Sequence, residues 1–230
     1  MAGKRPRTEG RLRARPGTEV IGSAPVGLRP LGIGGSRDSY LYAPPTYRPE
    51  NPAPLVLLLH GAGGHAHHGL ALLKDLADAF GLILLAPASR EPTWDILVGQ
   101  YGPDVTIIDR ALEWAFSRYA VDLRSVAIGG FSDGASYALS LGITNGDLFT
   151  HIIAFSPGFA APAAQRGYPR IFISHGTYDE VLPIERCSRR IVPRLRRSDY
   201  EVRYREFEGG HKITPETALE AAEWFTAKRT

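Results

Sequence analysis

Apolar and polar residues follow one another along this chain in blocks that predict about eight β-strands. Two short strands are expected around a glycine turn, within residues 25–35 and 38–47, and would pair at one edge of a sheet. The later blocks are mostly continuous apolar runs, which are typical of strands buried on both faces of a sheet. These later strands are expected at 54–60, 82–88, 124–130, 151–157, 170–176 and 201–207.

Helical spacing of apolar residues separates most of these strands. The expected helices lie at 69–81, 103–120, 133–142, within 183–198 with an interruption at Pro193, and 214–228. Trp114 and Trp224 fall on apolar helical faces and are expected in the core. Alternation of strands and helices predicts an α/β fold, with a mostly parallel sheet of about eight strands covered by helices on both faces.

The net charge of +3 is unevenly distributed. Residues 1–16 hold six Lys or Arg and one Glu, a net of +5, so the rest of the chain sums to −2. We therefore expect a disordered basic tail at 1–17 and a single domain at 18–230, with no nucleic-acid partner. No apolar run favours a secretory signal or stable membrane insertion.

Cys187 is the one cysteine of the chain, so an internal disulfide is excluded. A single thiol fits a reducing compartment, and a cytoplasmic location is expected. The same count rules out a metal cluster built on cysteines. Cys187 itself is interpreted as a half-buried small side chain on a helix.

The motif GFSDG, residues 130–134, places Ser132 directly after an expected strand and before a helix. A strand, a sharp turn and a helix form the setting of a nucleophile elbow. Small residues are needed around such a turn because neighbouring backbone comes close. This steric requirement explains the glycines at positions 130 and 134. Ser132 is therefore predicted to be a nucleophile. The alternative is an ordinary helix N-cap.

A serine nucleophile needs a base, and the base needs an acid that orients it. In a hydrolase of this type, the acid and then the histidine follow the serine along the chain, each after a strand. Asp179, in HGTYDEVLP, follows the next-to-last expected strand, and His211, in EGGHKITPE, follows the last. We predict Asp179 as the acid and His211 as the base. Asp179 could instead be an Asx-turn residue.

The loop HGAGGH, residues 60–65, follows the first buried strand and predicts an oxyanion hole. Successive glycines leave backbone N–H groups free to point at a developing negative charge. The predicted donors are the N–H groups of Ala62 and Asp133. His60 is interpreted as a support for this loop through hydrogen bonds, rather than as a chemical group.

Together, HGAGG, GFSDG, HGTYDEVLP and EGGHKITPE resemble the α/β-hydrolase fold, in particular the small phospholipase/carboxylesterase family that includes acyl-protein thioesterases. The resemblance covers roughly residues 54–225. It implies a Ser132–His211–Asp179 triad that hydrolyses carboxylic esters or thioesters without a cofactor. The family commonly has Gln after the serine and Gly beside the second glycine, where this chain has Asp133 and Ala135. The loop HGAGGH is also similar to that of depolymerase-like and feruloyl esterases.

The sequence thus predicts a carboxylesterase-type serine hydrolase that acts on a small-molecule ester or thioester through an acyl-enzyme. A thioesterase or lysophospholipase with the same triad is the alternative among enzymes. The alternative from another class is a ligand-binding protein on a hydrolase scaffold. No lid domain is expected, because only GFAAPAAQRGYP separates the strand at 151–157 from the next strand.

Several aromatic residues near the expected site are candidates to line a substrate pocket. They are Trp94, in the long loop SREPTWDILVGQYG, together with Tyr101, Phe131, Phe159 and Tyr178. The cluster HAHH, with His65, His67 and His68, is interpreted as a solvated helix start rather than a metal site. Its histidines lie on one element without a clear carboxylate or thiolate partner.

Overall fold

One eight-stranded sheet forms the centre of the computed structural model, which describes residues 9–17 and 25–227. The strand order is β1-β2-β4-β3-β5-β6-β7-β8. β2 pairs antiparallel with both β1 and β4, and all other neighbours are parallel. The strands are β1 Gly27–Pro30, β2 Tyr40–Ala43, β3 Ala53–Leu59, β4 Ile83–Ala86, β5 Val121–Phe131, β6 His151–Phe155, β7 Arg170–Gly176 and β8 Val202–Phe207.

Helices cover both faces of this sheet, as the alternating pattern predicts. Leu57 and Leu58 on β3 point into separate apolar layers because successive strand residues face opposite sides. One layer packs under α3, α4 and α5, and the other under α1, α2 and α6. The helices are α1 Ala66–Ala71, α2 Lys74–Phe80, α3 Pro103–Phe116, α4 Asp133–Thr144, α5 Ser188–Arg197 and α6 Pro215–Thr226. None of the helices between residues 25 and 227 has the length and hydrophobicity that a bilayer-spanning helix requires.

Two helix predictions differ from the structure. The segment 69–81 contains two helices, because the backbone leaves helical geometry at Leu73 (φ −137°, ψ 8°), and this turn buries both Leu73 and Ala77. α5 runs through Pro193 without the predicted interruption. Pro193 lies on the exposed face of the helix, where water can replace the backbone hydrogen bond that proline removes.

Residues 9–17 pack on the domain, so the prediction of a disordered tail is wrong for this segment. The Leu12 side chain is buried, and its N–H donates to Asn145 Oδ1 over 2.9 Å. The Arg11 guanidinium pairs with the Asp147 carboxylate and holds the pKa of that carboxyl well below its usual range. The charge count overlooked these specific partners. The first eight residues of the predicted tail lie outside the described part of the chain.

Candidate active site

Three loops at the carboxyl ends of parallel strands bring together the predicted nucleophile, base and acid. Ser132 follows β5, Asp179 follows β7, and His211 follows β8. His211 Nε2 lies 2.9 Å from Ser132 Oγ, and His211 Nδ1 lies 2.7 Å from Asp179 Oδ2. The three side chains form one hydrogen-bonded chain, which is the geometry that a serine–histidine–acid triad requires.

Ser132 occupies a strained turn between β5 and α4. Its backbone has φ 57° and ψ −118°, a conformation that residues other than glycine rarely adopt. A backbone held in such a region is strained by about 1–3 kcal/mol. The neighbouring backbone is as close as predicted. A Cβ at Gly134 would lie 2.2 Å from Leu59 O, and a Cβ at Gly130 would lie 2.4 Å from the carbonyl carbon of Gly134. Both glycines are therefore required by the packing of this turn against β3.

The Asp179 carboxylate is held from two sides. Oδ1 accepts hydrogen bonds from the N–H groups of Val181, at 3.0 Å, and Leu182, at 2.8 Å. Oδ2 faces the rings of His211 and His175. The Asx turn that the sequence offered as an alternative is thus present, and it coexists with the contact to His211.

His211 reaches the site because its loop runs directly over the end of β7. A Cβ at Gly176 would lie 2.3 Å from Gly210 O, so this close approach requires glycine. The His211 ring packs against Phe131, with 4.7 Å between ring centroids. Backbone contact and ring packing together restrict the histidine to the position beside Ser132.

Two N–H groups of the loop of residues 60–64 are hydrogen-bonded to nearby carbonyls. Gly63 N–H donates to Pro92 O over 2.7 Å, and Gly64 N–H donates to Gly61 O over 3.0 Å. Within the described chain, the Ala62 N–H makes no hydrogen bond. Asp133 begins α4, and the first N–H groups of a helix have no intrahelical acceptor. Both predicted oxyanion donors are therefore available.

His60 is fully buried and fixes the start of this loop through hydrogen bonds, as predicted. Its Nε2 accepts from Ser89 N–H over 3.0 Å, so Nδ1 carries the proton and donates to Gly61 O over 2.8 Å. Burial lowers the pKa of His60 to about 4, and the ring is neutral near pH 7.

Arg37 holds the far end of the same loop through hydrogen bonds, a role that the sequence did not predict. Its Nε donates to Ser89 O over 2.7 Å, and its Nη2 donates to Gly64 O. One guanidinium thus joins the loop after β3 to the loop after β4. Arg37 lies between β1 and β2, and the residues around it in the sequence do not indicate this contact.

The long loop after β4 is organised by two carboxylates, those of half-buried Asp95 and buried Asp104. Asp95 accepts hydrogen bonds from the N–H groups of Gly102 and Asp104 and from Tyr137 Oη. Asp104 accepts from Arg90 N–H and from the N–H of Asp95. Burial raises the pKa of Asp95, and it raises the pKa of Asp104 to about 6.

Trp94 and Tyr101 do not line an open pocket, contrary to the prediction. Trp94 is fully buried, donates its indole N–H to His60 O over 2.8 Å and stacks on Tyr137. Tyr101 is also buried, and its hydroxyl donates to Ala161 O. An aromatic ring in a long loop can bind a ligand or pack beneath it, and here the hydrogen bonds direct both rings inward.

The other predicted pocket residues are more accessible. Phe131 and Phe159 are half-buried, and Tyr178 is exposed beside Asp179. The three histidines of HAHH are exposed at the start of α1, as predicted. No group of three metal-ligating side chains is found in residues 9–17 and 25–227.

A ladder of hydroxyls on α4 holds the chain that follows β6. Ser136, Ser140 and Thr144 each donate to the carbonyl four residues earlier. Each also accepts a backbone N–H, from Gly158, Ala161 and Ala163 in turn, at 2.9–3.1 Å. The segment where a lid would be inserted thus contains neither helix nor strand and lies along α4.

Several solved structures and curated proteins with a similar chain are esterases or depolymerases by name. An esterase from Thermogutta terrifontis superposes with a TM-score of 0.67 at 17% identity, covering 86% of this chain and 93% of that one. A bifunctional acetylxylan esterase/xylanase from Neocallimastix patriciarum is 31% identical over 65% of this chain and 22% of its own length. A poly(3-hydroxybutyrate) depolymerase from Ralstonia pickettii is 30% identical over 59% of this chain and 32% of its own.

The chain spans less than a third of the length of either curated relative. The solved structure supports the α/β-hydrolase fold, which agrees with the strand order and the position of the site. The phospholipase/carboxylesterase family model matches residues 106–230, more than half of the chain, including all three triad positions. This chain therefore belongs to the phospholipase/carboxylesterase family.

Proposed function

We propose that this chain is a serine esterase that cleaves carboxylic esters through an acyl-enzyme. The observation that carries the proposal is the continuous hydrogen-bonded chain from Ser132 Oγ through His211 to Asp179. An ordinary helix N-cap accepts a hydrogen bond from the first turn of its own helix. Ser132 makes no such cap bond, and its hydroxyl is directed at His211 instead.

Acylation begins when His211 Nε2 accepts the hydroxyl proton of Ser132 while Oγ attacks the ester carbonyl carbon. The carbonyl oxygen becomes an oxyanion, to which the N–H groups of Ala62 and Asp133 donate. Asp179 holds the ring by accepting from Nδ1 and stabilises its positive charge. Collapse of the intermediate breaks the ester C–O bond, and Nε2–H protonates the departing alcohol.

Deacylation repeats these steps with water. His211 Nε2 accepts a proton from water, whose oxygen attacks the acyl carbon, and the same two N–H groups stabilise the second oxyanion. The intermediate releases the carboxylic acid, and Ser132 Oγ regains its proton from Nε2. The chain's own side chains and backbone carry out every step of this cycle.

The open segment after β6 favours soluble, monomeric esters as substrates. Residues 156–169, where a lid is expected in this fold, lie along α4 and are bound there by the hydroxyls of Ser136, Ser140 and Thr144. We expect hydrolysis of a short-chain ester below its solubility limit without activation by a lipid surface. A sharp rise in rate above the critical micelle concentration would contradict this expectation.

The test compares the wild type with Ser132→Ala on nitrophenyl esters of increasing acyl length. Ser132→Ala should lose at least ~10⁴-fold in kcat, since it removes the nucleophile. Ser125→Ala is the matched control, because Ser125 lies on β5, the strand that leads to the turn at Ser132. Near-normal turnover by Ser132→Ala would refute the mechanism.

The same experiment separates the other candidate functions. Thioesters and lysolipids are included in the panel, and a preference for either would assign the triad to a thioesterase or a lysophospholipase. A fluorophosphonate probe should label the wild type and Ser125→Ala, but not Ser132→Ala. A folded wild type that the probe fails to label would indicate a ligand-binding protein on a hydrolase scaffold.

A further inference from the structure

His175 is a buried histidine directly behind the proposed acid. It lies on β7, one residue before the strand ends, and its ring has no exposed surface. Nε2 lies 2.8 Å from Leu182 O and 3.2 Å from Asp179 Oδ2. Nδ1 lies 2.7 Å from Ser188 Oγ, another fully buried group. Every polar atom of the ring therefore has a partner.

These partners determine which nitrogen carries the proton. Both groups facing Nε2 are acceptors, a carbonyl and a carboxylate, so Nε2 must be the donor. Ser188 Oγ–H can donate to Nδ1, which leaves that nitrogen as an acceptor. Burial lowers the pKa of His175, in agreement with a neutral ring. The ring thus donates from Nε2 to Leu182 O, and Asp179 Oδ2 is a second acceptor beside the same N–H.

The carboxylate of Asp179 then has three hydrogen-bond donors, and the His175 ring lies beside it. Oδ1 accepts from two backbone N–H groups, those of Val181 and Leu182, and Oδ2 accepts from His211 Nδ1 and lies 3.2 Å from His175 Nε2. Leu182 is held at both ends of this arrangement, since its carbonyl accepts from His175 and its N–H donates to Asp179, so the orientation of the carboxylate is fixed. A buried carboxylate without such partners would be strongly destabilised.

We infer that His175 is a positioning residue, which holds the Asp179 carboxylate in the orientation that His211 requires. Its Nε2–H donates to the carbonyl of Leu182, whose N–H binds Oδ1, and the same ring nitrogen lies 3.2 Å from Oδ2. This inference rests on the proposed function. His175 does not touch the substrate or the reacting atoms. It acts through Asp179, by fixing the direction from which Oδ2 meets His211 Nδ1.

Two amide variants separate this role from simple packing. In His175→Gln, the side-chain amide reaches the position of Nε2 and keeps a donor toward Leu182 O and Asp179. The shorter amide of His175→Asn reaches only the position of Nδ1, beside Ser188. His175→Asn should lower kcat about 10- to 100-fold, because it removes the N–H group beside the Asp179 carboxylate and leaves the Leu182 carbonyl without its donor. His175→Gln should stay within about fivefold of the wild type. KM should change little in both variants.

A second comparison tests whether the effect passes through Asp179. In an Asp179→Asn background, His175→Asn should lower kcat by less than about threefold further, because coupled residues are not additive. Equal kcat in the folded Gln and Asn variants, or a full additional loss in the Asp179→Asn background, would overturn the inference. Circular dichroism establishes that each protein is folded.

Fluorophosphonate labelling distinguishes a failure of the role inferred for His175 from a failure of the proposed function. If the wild type is labelled at Ser132 and the Gln and Asn variants are labelled equally fast, the role of His175 is wrong and the proposed function stands. If the folded wild type is not labelled at all, both are wrong. Slower labelling of the Asn variant than of the Gln variant supports the inference.

Discussion

Two loops on opposite sides of Ser132 each have a fully buried, neutral histidine behind them, and the two histidines use opposite tautomers. In the loop after β3, His60 carries its proton on Nδ1 and donates to Gly61 O. In the loop after β7, His175 carries its proton on Nε2 and faces Asp179. Burial lowers the pKa of both rings.

The two histidines differ in the groups that their rings contact. The principal hydrogen bonds of His60 join main-chain atoms, so this ring fixes the shape of a loop that presents a neutral N–H group. His175 contacts an ionisable carboxylate that has to face His211. The same residue type, equally buried, thus supports backbone geometry on one side and charge placement on the other. Changes on the acid side should act on the chemistry, and changes on the oxyanion side should act mainly on loop order and stability.

The largest effect is expected from Asp179→Asn, which removes the charge of the acid side. The variant should fold, because an amide fills the same space, but kcat should fall by on the order of 10⁴. The reason is that the histidine loses both its fixed tautomer and the anion that stabilises its cation. The measurement is kcat on one short-chain ester.

Glu180→Gln is the matched control for Asp179→Asn. It removes the charge of the next residue, whose side chain is exposed. Its kcat should stay near that of the wild type. If Glu180→Gln were the inactive protein and Asp179→Asn nearly normal, the assignment of the acid would fail, and with it the contrast between the two loops.

The positions of Ser132, Asp179 and His211 could be predicted from the sequence because each residue follows an apolar block that defines a strand. Ser132 also has glycines beside it in the sequence, and a Cβ at Gly130 or Gly134 would collide with backbone. His175 could not be predicted in this way. It lies inside the apolar block RIFISHG, where a histidine gives no sign of whether it meets a carboxylate or only packs.

The next largest effect concerns stability and tests the oxyanion side. The pKa of His60 is about 4 in the folded chain, against 6.5 for an ordinary histidine. Below pH 6.5 the unfolded chain binds the proton more readily, so stability falls as the pH drops toward 4 and then levels off. From pH 7 to pH 5, His60 should contribute a loss of about 2 kcal/mol in the free energy of unfolding.

Urea unfolding of the wild type and His60→Gln at pH 7 and pH 5 measures this contribution. Gln keeps an acceptor for Ser89 N–H but cannot gain a charge. Carboxylates elsewhere titrate in both proteins, so the comparison isolates the histidine. The wild type should lose about 2 kcal/mol more than the variant over this interval. Equal losses in the two proteins would show that His60 is not held neutral by burial.

A smaller effect is expected from Arg37→Met, which releases the far end of the oxyanion loop. Gly64 O and Ser89 O lose their common donor, and the Ala62 N–H should become less well ordered. We expect kcat to fall about tenfold, with KM little changed, because such donors act mainly in the transition state.

Arg110→Met is the control for Arg37→Met, since Arg110 is an exposed arginine on α3. It should retain the kcat of the wild type. An equal loss in both variants would show that the Arg37 effect is one of overall charge rather than of loop order.

Long-range contacts of this kind set the limit of what the sequence could predict. Arg37 lies between β1 and β2 and contacts loops that follow β3 and β4. Nothing in its local pattern indicates these contacts. Arg11 and Leu12 likewise lie in a segment whose charge pattern resembles a disordered tail. Their partners, Asp147 and Asn145, lie more than 130 residues away. Local patterns predicted strands, turns and the order of the triad, whereas these contacts depend on how distant loops meet.

The smallest effect is expected from Asp133→Asn, which tests whether the oxyanion side uses backbone alone. Asp133 follows the nucleophile, and we propose that only its N–H group acts on the oxyanion. Its carboxylate is engaged elsewhere, since Oδ2 accepts from Thr93 Oγ1 over 2.6 Å. Asn keeps the backbone N–H and an acceptor for Thr93, and it removes a negative charge near the developing oxyanion. We therefore expect kcat to change by less than about threefold.

Measured on the same ester as Asp179→Asn, this variant compares two aspartates that lie on opposite sides of one serine. A loss of a hundredfold or more in folded Asp133→Asn would mean that the oxyanion side also depends on a charged side chain, and the contrast between the two loops would no longer hold.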